Sequence, residues 1–216
     1  MREIVVLGAG GLASEVLNLL EENNLQKEQW EILGCLDAAY DPEHPRSVLG
    51  YPVLGNDSWA EKRREPICAV CAVGDPAIRK KMIDWYRSNC PAVSFPPIIH
   101  KKASVTKYSS IGAGVIICNG SQVSVETKIG DFSIVNLTCT VGHGSKVGAF
   151  STVHPASNIS GNVNIGDLTE IGTGTKIIQG VHIGDRTIIG AGSVVVRDIP
   201  ESVVAFGVPC RVVRKK

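Results

Sequence analysis

An isoleucine or valine occupies every sixth position of the chain from Ile99 to Val195 without interruption. From Ser109 onward, the positions two residues before them carry only serine, threonine, valine or cysteine. Residues two apart in a strand share a face, so each unit predicts a short strand with one small and one aliphatic side chain inward. A short fixed period of β-branched residues is typical of a parallel β-helix, whose repeats bury their apolar faces by stacking.

The position after the aliphatic residue is often glycine, which we interpret as a corner with backbone dihedrals that suit glycine. The glycines at this position are Gly112, Gly130, Gly142, Gly148, Gly166, Gly172, Gly184 and Gly190. Three faces of six residues make one coil of eighteen residues. The series of isoleucines and valines from Ile99 to Val195, here called the ladder, therefore predicts about five coils, each rising by roughly 4.8 Å.

The first 96 residues alternate apolar strands with helical stretches, which predicts a small α/β domain with parallel strands. Ligands of such sheets bind outside the carboxyl ends of the strands, where this chain places Gly8, Gly10, Gly11, Asp37 and Gly74. The pattern Gly8-x-Gly10-x-x-Ala13 fits the dinucleotide fingerprint, with Asp37 near the distance of a ribose-binding acid. Because the region holds only one mononucleotide half, we expect it to bind a nucleotide diphosphate group rather than NAD.

Composition excludes several classes of partner. The net charge of +1 gives no electrostatic case for nucleic acid or an anionic membrane, and no apolar run reaches the length of a membrane span. Cys68 and Cys71 have the spacing of a metal or redox pair, but they lie in an apolar run that predicts a buried strand. Reduced thiols without an export signal predict a cytoplasmic location.

Residues 99–210 resemble the hexapeptide-repeat acyltransferases. With the N-terminal domain included, nearly the whole chain resembles bacterial nucleotide-sugar acetyltransferases of the sialic-acid O-acetyltransferase type, a group that includes N-acetyltransferases of nucleotide-linked 4-amino-4,6-dideoxy sugars. The motifs that carry the resemblance are Gly8-Ala9-Gly10-Gly11, Asp37, the run 50–55, Gly74-Asp75 with Arg79, and Gly207-Val208-Pro209.

The resemblance implies a Rossmann-like βαβ domain at 1–96 and a left-handed parallel β-helix at 97–216. It also implies a homotrimer with active sites between subunits, acetyl-CoA as co-substrate and a nucleotide-linked amino sugar as acceptor, used in surface polysaccharide synthesis. The nucleotide sugar is expected at Gly10, Gly11, Leu12 and Asp37, with Gly74 at the same crevice. Leu12 stands where the family often has histidine.

Acyl transfer to an amine needs a general base, for which histidine is suited near neutral pH. The segment from Val135 to His143 resembles the active-site segment of the family, which implies that His143 is the base and Asn136 its active-site neighbour. We interpret the histidines at 44, 100 and 182 as surface residues.

The family commonly has Glu or Asp directly after the base, but this chain has Gly144. The register of the repeat points the side chain of Ser145 into the interior of the β-helix, so Ser145 cannot replace that acid. The partner of His143 is therefore absent, comes from another subunit, or is a backbone carbonyl.

Coenzyme A is expected along the late coils. His154 stands at a position that is usually small, and a related family histidine would fall at Thr152. His154 either contacts the acetyl group or fills a corner. By register, Gly161, Thr173 and Ala191 match family positions that touch the cofactor.

Several other functions compete. A zinc-dependent carbonic anhydrase of this fold needs three gathered histidines, but His143, His154 and His182 differ in phase on the ladder, and we expect no metal site. The nucleotide-type N-terminal domain argues against a serine or antibiotic acetyltransferase. A sugar O-acetyltransferase and a non-catalytic scaffold, the latter suggested by Gly144, stay open, but N-acetyl transfer is the expected function.

Overall fold

The computed structural model describes all residues from 1 to 216. It divides into two compact units, Met1–Lys101 and Lys102–Lys216. The sequence patterns predict the division at residues 96–97.

The first unit contains a six-stranded sheet flanked in sequence by helices, and the strand order of the sheet is β3-β4-β2-β1-β5-β6. All neighbours in it are parallel except β3 and β4, which form an antiparallel pair. The central strand β1 pairs with β2 and β5, so the carboxyl ends of these three strands meet at one edge of the sheet. Its elements are β1 (Arg2–Leu7), α1 (Gly11–Gln26), β2 (Trp30–Leu36), β3 (Ser47–Val48), β4 (Tyr51–Gly55), α2 (Asp57–Glu61), β5 (Ile67–Cys71), α3 (Pro76–Asn89), β6 (Val93–Ser94) and β7 (Ile98–Ile99).

The cysteines of the central strands are small core residues. Cys68 and Cys71 lie in β5, every residue of which is buried, and all seven cysteines of the chain are free and buried. The prediction that Cys68 and Cys71 lie in a buried strand is therefore confirmed. None of the helices has both the length and the apolar character needed to cross a membrane.

The second unit consists mainly of two-residue strands six residues apart. From Ser104 to Ile177, each strand pairs in parallel with the strand eighteen residues later, as Val123 pairs with Val141. These strands are β8 (Ser104–Val105), β9 (Ser110–Ile111), β10 (Ile116–Ile117), β11 (Gln122–Val123), β12 (Lys128–Ile129), β13 (Ile134–Val135), β14 (Thr140–Val141), β15 (Lys146–Val147), β16 (Thr152–Val153), β17 (Asn158–Ile159), β18 (Asn164–Ile165), β19 (Glu170–Ile171), β20 (Lys176–Ile177), β21 (His182–Ile183), β22 (Ile188–Ile189) and β23 (Val194–Val195). A hairpin of β24 (Val203–Phe206) and β25 (Arg211–Lys215) follows them.

The strands form the three faces of a prism. The first face contains β10, β13, β16, β19, β22 and β24, the second contains β8, β11, β14, β17, β20 and β23, and the third contains β9, β12, β15, β18 and β21. From Ile117 to Val195, every ladder residue is at most 2% exposed. The predicted inward ladder is therefore confirmed over this range.

The small inward residues carry a second ladder of hydrogen bonds. The hydroxyl of Ser145 donates to the carbonyl oxygen of Ser160 at 2.9 Å, and Ser121 donates to Asn136 in the same way, fifteen residues ahead. These hydroxyls are fully buried, so the bonds satisfy polar groups that would otherwise destabilise the core. Ser145 therefore points into the prism as predicted.

The glycines that follow the ladder residues have a different role from the one expected. None of them has a positive φ; instead, a Cβ at Gly142 would lie 2.6 Å from the backbone nitrogen of Gly161 in the next coil. These glycines permit close stacking of the corners. The left-handed residue of each corner lies two positions later, as at Gly144 (φ +68°) and Asn162 (φ +57°).

Candidate active site

The loop after β1 presents open backbone at the start of a helix. Gly8 has φ +102°, and a Cβ there would lie 3.2 Å from the carbonyl oxygen of Ala72, so the turn requires glycine. Gly10 caps α1 without a side-chain hydrogen bond, and a Cβ at Gly10 or Gly11 would meet no atom within 4 Å. Leu12 is half-buried in the first turn of α1. The unsatisfied N–H groups of this helix start, together with its dipole, are suited to an anion such as a phosphate.

Asp37 holds this glycine loop in place through hydrogen bonds. Its Oδ2 accepts a hydrogen bond from the backbone N–H of Ala9 at 2.9 Å, and its Oδ1 accepts one from Ala39 at 2.9 Å. The Arg46 guanidinium lies 3.4 Å from Oδ1, and the Asp37 side chain remains 23% exposed. The structure therefore brings together the loop and the acid that the sequence placed at one crevice.

Gly74 follows β5 at the same edge of the sheet, and a Cβ there would meet no atom within 4 Å. The turn around it is held by Arg79, which is only 1% exposed and donates to the carbonyl oxygens of Val73 and Gly74 at 2.6 and 2.8 Å. Asp75 caps α3 through the N–H groups of residues 77 and 78. Buried hydrogen bonds thus fix an open backbone position beside the glycine loop.

A cavity of about 580 Å³ lies next to Asp37, and it was not predicted from the sequence. The backbone connects the two directly, since Asp37 N–H donates to Gly55 and Tyr40 N–H donates to Asp37. The Nε atom of Arg63 is buried without a hydrogen-bond partner. The cavity is lined by Tyr40, Pro42, Leu54, Gly55, Asn56, Ser58, Trp59, Lys62 and Arg63. The only sequence signal for it was the run 50–55, which belongs to the motifs of the family resemblance.

His143 lies in the second unit on the second edge, the corner of the prism that follows the second face. Its side chain is exposed, and its imidazole lies against Gly161 of the next coil, with Nε2 2.5 Å from the position of a Cβ at residue 161. The ring makes no hydrogen bond or ion pair within the chain. An exposed, unpaired imidazole on a rigid backbone platform is available for proton transfer.

Asn136 and His154 lie on the first edge, the corner that follows the first face, one coil apart. Asn136 Oδ1 accepts a hydrogen bond from the N–H of Leu137 at 2.7 Å. His154 Nε2 lies 3.6 Å from the carboxylate of Glu170, and the His154 side chain is 33% exposed. The structure therefore stacks Asn136 with His154 but places His143 one face further along the same chain.

The remaining cofactor positions divide between the two edges. Thr173 and Ala191 are exposed on the first edge in successive coils, where the N–H of Gly192 donates to Thr173. Gly161 is on the second edge, covered by His143. Thr152 is only 2% exposed on the first face.

Of the three histidines expected at the surface, His44 and His182 are exposed, but the expectation for His100 is wrong. His100 is 3% exposed, and its Nε2 lies 3.0 Å from a carboxylate oxygen of Glu22. Asn23 holds the same segment through the carbonyl oxygen of Ile99 and the N–H of Lys101. No group of histidine, cysteine or acidic residues in the chain is arranged to hold a metal ion.

Comparison with known proteins gives relatives that span the whole chain. Residues 3–86 match the family model of the PglD N-terminal domain. The crystal structure of PerB from Caulobacter crescentus in complex with CoA and GDP-perosamine is 34% identical, with a TM-score of 0.88 and 98% of this chain and 97% of that chain covered. Structures of the same perosamine N-acetyltransferase with one histidine replaced by Asn or Ala also match.

More distant structures agree with this match. The acetyltransferase domain of PglB from Neisseria gonorrhoeae FA1090 in complex with acetyl coenzyme A is 29% identical, with a TM-score of 0.88 and 98% of this chain and 99% of that chain covered. WeeI from Acinetobacter baumannii AYE is 26% identical, with a TM-score of 0.87 and coverage of 99% and 100%. No curated protein sequence matches the chain.

These similarities confirm the predicted fold, a small α/β domain followed by a left-handed β-helix. They also confirm the predicted class of enzyme. The chain belongs to the hexapeptide-repeat nucleotide-sugar acetyltransferases and is an acyltransferase.

Proposed function

We propose that this enzyme transfers an acetyl group from acetyl-CoA to the amino group of a nucleotide-linked 4-amino-4,6-dideoxy sugar. The observation that carries the proposal is the exposed, unpaired imidazole of His143 against Gly161, in a chain whose relatives include an N-acetyltransferase bound to CoA and GDP-perosamine.

In this proposal, the first unit binds the nucleotide sugar. The helix start at Gly10, Gly11 and Leu12 holds the diphosphate through backbone N–H groups, and Gly74 leaves room beside it. Asp37 faces the ribose, and the cavity connected to Asp37 by backbone hydrogen bonds takes the base. The order of glycine loop, acid and cavity then matches the order of phosphate, ribose and base in a nucleotide.

His143 is the general base of the proposed reaction. The amine nitrogen attacks the carbonyl carbon of the thioester, so a C–N bond forms and the C–S bond breaks. The imidazole accepts a proton from the amine nitrogen, and the departing thiolate of coenzyme A takes up a proton as it leaves. Asn136 is an active-site neighbour that contacts the acetyl group or the acceptor.

We place coenzyme A along the first edge, in contact with His154, Thr173 and Ala191, which are accessible in successive coils. Thr152 lies on the first face below this path and is buried, so it supports the path rather than touching the ligand. Gly161 leaves space for the imidazole of His143.

The active site is proposed to form between copies of the chain in a homotrimer. His143 lies on the second edge, whereas Asn136 and His154 lie on the first edge, so the second face separates them within one chain. A neighbouring copy that presents its first edge to the second edge of this one would complete the site. The seven free, buried cysteines support a cytoplasmic location for the enzyme.

The experiment is a panel of UDP-, dTDP- and GDP-linked 4-amino sugars incubated with acetyl-CoA, with thiol release as the measurement. We expect steady release with one sugar and loss of release in His143→Ala. An absence of release with the whole panel, or wild-type release in His143→Ala, would show that the proposal is wrong.

A further inference from the structure

The base proposed above has an unpaired neighbour on the same edge. Neither the imidazole of His143 nor the side-chain amide of Asn162 has a hydrogen bond or ion pair within the chain. Their backbones are joined, because the N–H of Asn162 donates to the carbonyl oxygen of His143 at 2.7 Å. Two unpaired polar side chains therefore stand one coil apart at the corner that would carry the chemistry.

Gly144, directly after His143, leaves room for the side chain of Asn162. It has φ +68°, and a Cβ at this position would overlap Oδ1 of Asn162. The amide oxygen of Asn162 therefore occupies the space in which a side chain at residue 144 would begin. Within the ring of His143, Nε2, Cε1 and Cδ2 are the atoms nearest to the Cβ position of Gly161, so Nδ1 is not among the atoms that face Gly161 most closely.

We propose that Asn162 is the positioning residue of His143. Its Oδ1 accepts a hydrogen bond from Nδ1–H in the complex with substrates and leaves Nε2 as the free base. A histidine base needs its second nitrogen held, because that bond sets both the tautomer and the ring orientation, and such bonds often tighten only when substrate is bound. The inference rests on the proposed function, in which His143 takes the proton.

Glu126 is a titratable residue on the same edge. It occupies the equivalent left-handed position one coil earlier, with φ +58°, and its side chain is exposed. No atom of Glu126 comes within 4 Å of the Cβ position of Gly144, whereas Oδ1 and Cγ of Asn162 do. The geometry therefore favours Asn162 over Glu126 as the partner, and the test separates the two.

The test compares Asn162→Gly, Asn162→Asp and Glu126→Gln with the wild-type enzyme. Glycine and aspartate both tolerate the positive φ of residue 162, so these variants keep the corner intact. Leu168→Gly is the matched control, because Leu168 also has a positive φ (+56°) but lies on the next edge. The readouts are kcat, KM for the sugar, the pH profile of kcat, and the melting temperature.

We expect Asn162→Gly to lower kcat about tenfold without a change in KM, whereas Leu168→Gly retains wild-type kcat. In Asn162→Asp, the carboxylate stabilises the imidazolium form and raises the pKa of the base. The acid limb of the pH profile then moves to higher pH by about one unit. We expect Glu126→Gln to leave this limb in place.

The proposal is overturned if Asn162→Gly keeps wild-type kcat, or if Asn162→Asp leaves the acid limb unmoved. A shift of the limb to lower pH in Glu126→Gln would also overturn it and assign the role to Glu126. If any of these results is found in an enzyme whose activity still requires His143, only the positioning role of Asn162 is disproved. Loss of the proposed function itself would instead appear as a wild-type enzyme without thiol release.

Discussion

The imidazole of His143 lies over Gly161, with Nε2 2.5 Å and Cε1 2.6 Å from the position that a Cβ at residue 161 would occupy. Residue 161 therefore has to lack a side chain for the ring to keep its place. Gly161 has no positive φ, so alanine is compatible with its backbone, and the three atoms nearest to an added Cβ all belong to the ring of His143.

We therefore expect Gly161→Ala to fold but to displace the base. A displacement of about 1 Å at a reacting group costs roughly 100-fold in rate, so kcat falls by that order while KM for both substrates changes little. The measurement is steady-state thiol release. In a His143→Ala background, Gly161→Ala should cause no further loss of kcat. An additive loss of kcat would show that displacement of the imidazole is not the cause.

The sequence predicted those features that depend on neighbouring residues. The inward ladder from Ile117 to Val195 and the inward direction of Ser145 follow from strand periodicity alone. The burial of His100 was missed, because it depends on Glu22, which is 78 residues away in the sequence. The left-handed corner positions were missed because residues such as Phe132 and Leu168 occupy them, and bulky side chains disfavour a positive φ.

The features of the candidate site also divide into those that the sequence predicts and those that it does not. Motif spacing placed the glycine loop and Asp37 at one crevice, because parallel strands end at a common edge. The cavity beside Asp37 was not predicted, because it is built from the loop after β2 and from the short helix α2, which no periodic pattern marks. The eighteen-residue coil stacks residue 162 over residue 144, but the direction of the Asn162 side chain, with Oδ1 over Gly144, could be seen only in the structure.

Asp37→Ala should weaken binding of the nucleotide sugar. The variant removes the acceptor for the N–H groups of Ala9 and Ala39, so the glycine loop is no longer held in place by these hydrogen bonds. Hydrogen bonds to a charged group contribute about 1.5–3 kcal/mol, which corresponds to a rise in KM of roughly ten- to a hundredfold. The measurement is KM for the nucleotide sugar, with KM for acetyl-CoA as an internal reference.

Asp41→Ala is the matched control for Asp37→Ala. Asp41 lies in the same connection after β2, but it pairs only with the exposed His44 and with the backbone of its own turn. We expect KM for the sugar to remain at the wild-type value in this variant. Equal effects of the two substitutions would contradict a specific role for Asp37.

Buried thiols predict a loss of stability at alkaline pH. Burial raises the pKa of Cys71 from 9.0 to about 11, and it raises that of Cys139 to about 11 as well. Because the folded-state pKa is the higher one, this stabilisation is complete below pH 9 and is lost as the pH rises through 11. The melting temperature should therefore decline across this window, and it should decline less in Cys71→Ala relative to the value of that variant at pH 8. An equal decline in the wild-type protein and in Cys71→Ala would show that ionisation of Cys71 does not contribute to it.

The separation of His143 from Asn136 by the second face predicts complementation between inactive variants. If each site combines the second edge of one copy with the first edge of another, a mixed assembly of His143→Ala and Asn136→Ala contains some sites with both residues intact. Co-expression with two different affinity tags, followed by purification through both tags, should therefore restore a substantial fraction of wild-type thiol release. Each variant purified alone should stay inactive. If His143 and Asn136 act within one chain, every site of the mixed assembly carries one defect, so no activity returns and the proposed arrangement is wrong.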